Sequence, residues 1–203
     1  MSQLNVDLMS SAENAGYLEL IMGPMFSGKT SRLLDVHKQC VYCDIPVIVV
    51  NYSGDTRYSN TMLSTHDDRT IPCIFVEKLE DIDRNSIHKE VLEKASVILV
   101  NEGQFFVDLL EWTINQVDNN KKKIYIAGLD GDFKRDVFGD MLKLVPYADK
   151  VMKLASICSR CKNGRPGLFS HRITPAQQQK MIGVSEYTPL CRKCYLALND
   201  LTN

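Results

Sequence analysis

Short apolar runs mark the first two thirds of the chain. They lie at Tyr17–Met22, Pro46–Tyr52, Val97–Val100 and Ile124–Ala127, with a shorter candidate at Cys73–Val76. The second and third of these runs do not alternate apolar with polar residues, which is typical of strands covered on both faces. The runs therefore predict strands in the interior of a sheet.

Segments with a helical period separate these runs. Apolar residues recur every three to four positions in Lys29–Tyr42, Ser86–Lys94 and Phe106–Val117, as expected of helices with one buried face. Strands that alternate with helices need crossover connections, so the pattern predicts an α/β domain with a parallel sheet. The stretch Asp55–Arg69 is polar and turn-rich and predicts a long loop.

The character of the sequence changes near Val151. Cysteines, glycines and prolines become frequent there, and apolar periodicity fades. We therefore predict a flexible N-terminal segment (1–16), an α/β domain (17–150) and a smaller second lobe (151–203).

Charge and hydropathy narrow the classes of function. The 24 Lys and Arg residues nearly balance the 25 Asp and Glu residues, for a net charge of −1. This balance argues against duplex nucleic acid as the main ligand, because such binding relies on cations that displace counterions. No stretch approaches the roughly 18 apolar residues of a membrane span, and the N-terminus lacks the basic and apolar regions of a signal peptide. We expect an intracellular, cytoplasmic protein without a nucleic-acid or membrane partner, whose cysteines are reduced.

A phosphate-binding motif follows the first predicted strand. The string GPMFSGKT fits the pattern G-x-x-x-x-G-K-[ST] and precedes a predicted helix, which is the context that this motif requires. Its backbone N–H groups and the helix N-terminus would face the phosphates of ATP. Lys29 would reach the β- and γ-phosphates, and the Thr30 hydroxyl would coordinate Mg²⁺. The alternative is an ordinary glycine-rich turn. The predicted ATP-binding residues are Gly23, Pro24, Met25, Phe26, Ser27, Gly28, Lys29 and Thr30.

Two further polar groups are candidates for the chemistry. Asn101 and Glu102 follow the buried Val97–Val100 run, where P-loop proteins usually place an Asp at the Mg²⁺ site. A carboxylate there can accept a proton from an attacking hydroxyl, whereas an isolated Glu would be an ordinary surface residue. Asp55 and Arg57 lie in the polar loop, and an arginine there could stabilise charge on a phosphoryl group. From chemistry alone, a solvated loop residue is the better interpretation of Arg57.

Four cysteines form two pairs in the second lobe. The pairs Cys158-x-x-Cys161 and Cys191-x-x-Cys194 are separated by the 29 residues 162–190. In a reducing compartment, two such pairs can bind one tetrahedral Zn²⁺ through thiolates, and four ligands leave no open position for catalysis. A redox role for one pair is the alternative.

A series of strings identifies a family. The sequence resembles thymidine kinases of the cytosolic (type II) class from about Tyr17 to Tyr195. The strings are GPMFSGKT, DTRY from Asp55, THDDR from Thr65, EGQFF from Glu102, LDGDFKRDVFG from Leu129, LVPYAD from Leu144, and the paired cysteines.

The resemblance implies a fold and an activity. The fold is a P-loop (RecA-like) parallel sheet flanked by helices, with a small zinc-binding lobe. The loop between the cysteine pairs, residues 162–190, resembles the family's lasso, which closes over thymine through main-chain hydrogen bonds. The activity is transfer of the ATP γ-phosphate to the 5′-hydroxyl of thymidine in nucleoside salvage, with Mg²⁺ as cofactor. The family is commonly homotetrameric and inhibited by thymidine triphosphate.

The resemblance also assigns residues. Glu102 matches the general base, Lys29 a phosphate ligand and Arg57 an arginine that assists at the phosphates. Thr30, Asp55 and Asn101 match positions at the Mg²⁺ site. The matched thymidine-site positions are Met25, Phe105, Leu129, Phe133, Ser170, Ile182, Gly183 and Tyr187.

Three departures from the family pattern affect the expectations. Asn101 replaces the usual Asp, which predicts weaker Mg²⁺ binding but not an inactive enzyme, because the amide keeps a carbonyl oxygen. Ser170 replaces a common Thr near the thymine methyl and predicts a slightly looser pocket. The segment before Cys191 is about one residue short, so the transfer of residue roles is least secure there.

Two other functions compete with the kinase. One is a nucleic-acid-dependent ATPase whose second lobe grips a strand, against which the neutral charge balance and the lack of interleaved aromatic and basic residues argue. The other is a nucleotide-binding protein with weak or no kinase activity, suggested only by Asn101.

Overall fold

The computed structural model describes residues 15–55, 62–64, 69–179 and 186–199. The strands are β1 (Tyr17–Met22), β2 (Val47–Tyr52), β3 (Met62–Ser64), β4 (Thr70–Pro72), β5 (Ile74–Val76), β6 (Val97–Val100), β7 (Lys123–Gly128), β8 (Lys150–Lys153), β9 (Ser156–Ile157), β10 (Pro166–Gly167), β11 (Phe169–Arg172) and β12 (Tyr187–Leu190). The α-helices are α1 (Lys29–Tyr42), α2 (Glu80–Arg84), α3 (Ser86–Lys94), α4 (Leu109–Ile114) and α5 (Arg192–Asn199).

A six-stranded sheet forms the centre of the molecule. Its order is β5-β2-β6-β7-β1-β8, and every neighbouring pair is parallel. The carboxyl ends of β1, β2 and β6 therefore lie at one edge, where the loops that follow them meet. The predicted α/β fold with a parallel sheet flanked by helices is confirmed.

Alternate residues of β1, β2, β6 and β7 contribute to two cores. On one face α1 packs through Leu33, Val36 and Cys40 against residues such as Val49 and Leu99. On the other face the buried side chains of α2, α3 and α4 cover the sheet; they include Ile82, Leu92, Leu109 and Trp112. No helix in the described part of the chain is both long and apolar enough to cross a membrane.

Several local expectations differ from the structure. The helix predicted over Phe106–Val117 begins at Leu109 and continues past Ile114 as a π-helical segment, Asn115–Asn119. The predicted loop Asp55–Arg69 contains β3, which pairs with β4 in an antiparallel hairpin. Neither three-residue strand carries an apolar run that would reveal it. Strand β8 was also missed, because this edge strand alternates half-buried and exposed residues and carries a lysine at each end.

The second lobe is built from short antiparallel pairs and one helix. Strand β9 pairs with β10, and β11 pairs with β12. Leu190, Tyr195 and three cysteines form its small core, against which Phe169 packs. Because β8 belongs to the main sheet, that sheet extends to Lys153, three residues past the predicted boundary at residue 150. The division of the chain into domains otherwise stays a prediction.

Candidate active site

The loop after β1 needs glycine at two positions. Gly23 has φ +146°, and a Cβ there would lie 2.5 Å from the carbonyl oxygen of Leu154. Gly28, with φ +84°, leads directly into α1. The Lys29 ammonium donates to the carbonyl oxygen of Pro24 over 2.7 Å and thus lies over the loop. The Ser27 hydroxyl is buried and has no hydrogen-bond partner among the described residues, so it is a candidate donor to an anion.

A chain of hydrogen bonds joins the ends of β2 and β6 to α1. Asn101 Oδ1 accepts from the Thr30 hydroxyl over 3.3 Å, and Asn101 Nδ2 donates to Asn51 Oδ1 over 3.0 Å. Asn51 Nδ2 in turn donates to Asp55 Oδ2 over 3.4 Å. Asn51, Asp55 and Asn101 are at most 5% exposed. The chain places several oxygen atoms together beside the loop.

Glu102 adopts a backbone conformation that is uncommon for a residue with a side chain. Its φ is +56°, in the left-handed region that few residues other than glycine adopt. Its Oε2 accepts from Gln104 Nε2 over 2.6 Å, and Gln104 Oε1 accepts from the Leu129 amide over 2.9 Å. Gly139, at φ +59°, lets the backbone approach Gln104, since a Cβ there would lie 2.2 Å from the Gln104 carbonyl oxygen. The buried Gln104 thus positions both Glu102 and Leu129.

Phe105, three residues after Glu102, packs among other aromatic rings. The Phe105 ring lies 5.2 Å from the Tyr52 ring and 5.4 Å from the Phe138 ring, measured between centroids. From the second lobe, Ser170 Oγ accepts from the Met25 amide over 2.9 Å and so ties β11 to the phosphate-binding loop. Sequence reasoning missed Tyr52, Phe138 and Gln104, although the last lies within the EGQFF string.

Phe133 and Tyr187 both lie against Arg172. The guanidinium carbon is 3.8 Å from the Phe133 centroid and 5.1 Å from the Tyr187 centroid. The Phe133 carbonyl oxygen accepts from the Tyr195 hydroxyl over 2.6 Å. The loop after β7 is therefore attached to the second lobe. No motif in the sequence pointed to Arg172.

The four paired cysteines converge. Their sulfur atoms lie within 4.8 Å of one another, with Cys161 Sγ 3.4 Å from Cys194 Sγ and 3.8 Å from Cys191 Sγ. Tetrahedral Zn²⁺ with Zn–S bonds of about 2.3 Å separates its sulfurs by about 3.8 Å, so the cluster is compatible with structural zinc. Burial opposes ionisation of Cys158, but hydrogen bonds from the amides of Cys161, Cys191 and Arg160 outweigh it and lower its pKa to about 6. The thiolate is the form that binds metal.

Comparison with known proteins identifies the family. The family model described as thymidine kinase matches residues 16–195, nearly the whole chain. The chain belongs to the thymidine kinase family. The resemblance of the sequence strings is thereby confirmed.

Thymidine kinases from a virus and from a mammal are both similar over most of this chain. The thymidine kinase of Yaba monkey tumor virus (strain VR587) is 38% identical over 187 residues, which cover 92% of this chain and 98% of the viral protein. Cytosolic thymidine kinase of Bos taurus is 34% identical over 187 residues, covering 92% of this chain and 74% of the bovine protein. Domain III of the Thermotoga maritima replication initiation protein DnaA aligns with 68% of this chain and over 55% of its own length, at 18% identity and a TM-score of 0.41.

Most of the residues predicted for a thymidine kinase site lie around one edge of the sheet. The phosphate-binding loop, the Asp55–Asn101 chain of hydrogen bonds and Glu102 meet there, and the Met25–Ser170 hydrogen bond brings the second lobe to the same place. Arg57, Ile182 and Gly183 lie outside the described residues.

Proposed function

We propose that this chain phosphorylates thymidine by transferring the γ-phosphate of ATP to the 5′-hydroxyl of the nucleoside. One observation carries the proposal: Thr30, at the end of the phosphate-binding loop, reaches Asn101 over 3.3 Å, and Glu102 is the next residue. Phosphate ligands, metal ligands and a base at one sheet edge are the parts that phosphoryl transfer needs. Membership of the thymidine kinase family supports thymidine as the acceptor.

The phosphate-binding loop would hold ATP. Residues 23–30 present backbone N–H groups and the N-terminus of α1. Lys29 and the Ser27 hydroxyl, which has no partner among the described residues, add side-chain donors. Arg57 is proposed as a further donor to the phosphates. These groups fit a triphosphate because each of them donates and none adds negative charge.

The oxygens beside the loop suit Mg²⁺. In octahedral geometry at about 2.0–2.1 Å, neighbouring ligand oxygens lie about 3 Å apart, close to the 3.3 Å between Thr30 Oγ1 and Asn101 Oδ1. Asp55 would add a carboxylate, directly or through water. The ion would neutralise charge on the β- and γ-phosphates.

Glu102 is proposed as the general base. As the bond forms between the 5′-oxygen and the γ-phosphorus, the bond from that phosphorus to the β–γ bridging oxygen breaks, and Glu102 accepts the hydroxyl proton. The hydrogen bond from Gln104 supports this role because it orients the carboxylate. The uncommon φ of Glu102 restricts the direction of the side chain further.

The nucleoside would lie between the loop after β7 and the second lobe. The proposed contacts are Met25, Phe105, Leu129, Phe133, Ser170, Ile182, Gly183 and Tyr187. Main-chain N–H and C=O groups that pair with the pyrimidine edge would be left unpaired by a purine, which gives strong discrimination. Because the Met25 amide already binds Ser170 Oγ, that hydroxyl faces the phosphate-binding loop.

Other properties follow the family resemblance. We propose that Zn²⁺ on Cys158, Cys161, Cys191 and Cys194 fixes both ends of the lasso, and that the metal is structural. A cytoplasmic homotetramer inhibited by thymidine triphosphate is proposed on the same basis.

Direct detection of the product tests the proposal. The protein is incubated with ATP and either thymidine, deoxycytidine or deoxyguanosine across a wide range of Mg²⁺ concentrations. Selective appearance of thymidine monophosphate supports the kinase. ATP binding without product at any Mg²⁺ concentration supports instead the nucleotide-binding protein that Asn101 suggests, and activity that returns in Asn101→Asp would assign the defect to that residue.

A further inference from the structure

Arg172 is a buried cation between the second lobe and the loop after β7. It is the last residue of β11, pairs with Tyr187 of β12 and is 5% exposed. In the described part of the chain, the groups that contact its guanidinium are carbonyl oxygens, one hydroxyl and aromatic rings, with no carboxylate within ion-pair distance. Burial of such a charge is costly unless hydrogen bonds compensate for it.

Main-chain carbonyls supply most of this compensation. Nη1 donates to the carbonyl oxygens of Ala176 over 3.0 Å and Gln178 over 2.5 Å. Nη2 donates to the carbonyl oxygen of Gln179 over 3.2 Å and to the Tyr187 hydroxyl. The segment 176–179 is therefore wrapped around the guanidinium. A planar group with several fixed donors can hold such a turn, whereas an ammonium cannot match the same set of acceptors.

The same side chain reaches across to the loop after β7. Its guanidinium carbon lies 3.8 Å from the Phe133 ring centroid, within the range of a cation–π contact. The segment that it holds makes a second attachment, because Gln179 Nε2 donates to Asp132 Oδ2 over 2.9 Å and to the Val137 carbonyl oxygen over 3.2 Å. Arg172 thus contacts Phe133 directly and holds Gln179 where it can bind the same loop.

We propose that Arg172 is a positioning residue for the nucleoside site: it sets the place of the Phe133 ring and holds segment 176–179 against the loop after β7. This inference rests on the proposed function, because it takes Phe133 and Tyr187 to be walls of the thymidine pocket. In the described structure Arg172 contacts the second lobe and Phe133 but not the phosphate-binding loop. Loss of the Arg172 side chain should therefore weaken the binding of thymidine and leave the binding of ATP unchanged.

Steady-state kinetics with each substrate varied separately test the proposal. Arg172→Met keeps an unbranched apolar stem but shortens the side chain and removes its charge and donors. We expect the KM for thymidine to rise about tenfold or more, which corresponds to the loss of one hydrogen bond to a charged group. The KM for ATP should stay within about twofold of the parent value. Arg172→Lys should give an intermediate rise, because the charge returns without the planar donors. Arg165→Met, which removes an exposed arginine from the same lobe, is the matched control and should equal the parent.

Two results would overturn the proposal. One is an unchanged thymidine KM in Arg172→Met, and the other is an equal rise in both KM values, which would indicate a merely structural role. If Arg172→Met does not fold, the thymidine and ATP KM values of Arg172→Lys are compared with those of the parent in the same way.

Hydrogen exchange separates this inference from the proposed function. Amides of residues 176–179 should exchange faster in Arg172→Met than in the parent and in Arg165→Met. If the parent makes no thymidine monophosphate, the proposed function fails while exchange still reports whether Arg172 holds the segment. Unchanged exchange together with an active parent rejects the inference alone.

Discussion

Asn101 donates from Nδ2 to Oδ1 of Asn51 over 3.0 Å, and this bond fixes the orientation of both amides. The carbonyl oxygen of Asn101 consequently faces Thr30, and the amino group of Asn51 faces Asp55. An aspartate at position 101 would present only acceptors to the Asn51 oxygen. If Asn51 then turned its amino group toward position 101, its oxygen would face the Asp55 carboxylate. Asn51 therefore suits an asparagine at position 101, where the family usually has an aspartate, because only the amide can donate to the Asn51 oxygen.

Asn101→Asp should strengthen Mg²⁺ binding but lower the stability of the metal-free protein. The added charge beside the proposed Mg²⁺ site should lower the Mg²⁺ concentration for half-maximal activity several-fold. Without Mg²⁺ the variant should be less stable by about 1–3 kcal/mol, because a buried hydrogen bond becomes a contact between two acceptors. A Mg²⁺ titration of activity and urea unfolding in chelator measure the two effects. Identical Mg²⁺ curves for variant and parent would contradict the expectation.

The two asparagines should not act independently. Asn51→Ala alone should destabilise the protein by about 1–3 kcal/mol, since the Asn101 amino group loses its acceptor and Asp55 loses a donor. In the Asn51→Ala background, Asn101→Asp should lower the free energy of unfolding by less than it does in the parent, because the opposing oxygen of Asn51 is gone. Urea unfolding of the four proteins in a double-mutant cycle measures the coupling. Additive costs would show that the hydrogen bond between the two side chains contributes nothing.

The central strands and the phosphate-binding loop were predictable because their signals are local. A buried parallel strand reads as an apolar run, and the loop motif occupies eight consecutive positions, residues 23–30. Asn51 and Arg172 carried no such signal, and Gln104 lies within the EGQFF string without any sign of what it binds. Each acts through partners that the fold brings together, and Asn51 is 50 positions from Asn101. Strand β8 was missed because an edge strand needs no continuous apolar run.

Loss of zinc should weaken binding of thymidine more than binding of ATP. Metal analysis of the parent should find one zinc per chain, and Cys161→Ser should bind less and unfold at a lower temperature. The thymidine KM should rise because β11, β12 and the segment between them belong to the same lobe as the cysteines, whereas α1 and the phosphate-binding loop do not. Cys43→Ser, at an exposed free cysteine, is the matched control. A parent that contains no zinc after expression with the metal would reject the assignment.

Glu102→Gln should remove catalysis without removing binding. Loss of a general base typically reduces the rate by about 10²–10⁴-fold, and we expect kcat to fall in that range with ATP and thymidine binding retained. Glu111→Gln, on the exposed face of α4, should match the parent. Retention of full kcat in Glu102→Gln would exclude Glu102 as the base.

The glycine that lies against Gln104 gives a test of how Glu102 is held. Gly139→Ala would place a Cβ 2.2 Å from the Gln104 carbonyl oxygen, whereas Gly164→Ala has no heavy atom within 4 Å of the new Cβ. Both glycines have positive φ, 59° and 81°, so both substitutions carry the backbone cost of about 1 kcal/mol. Only Gly139→Ala must also displace the Gln104 backbone, and with it the hydrogen bonds to Glu102 and Leu129. It should therefore unfold more easily than Gly164→Ala and lose kcat, whereas Gly164→Ala should keep its kcat. Equal kcat in the two variants would mean that Gln104 does not govern the orientation of Glu102.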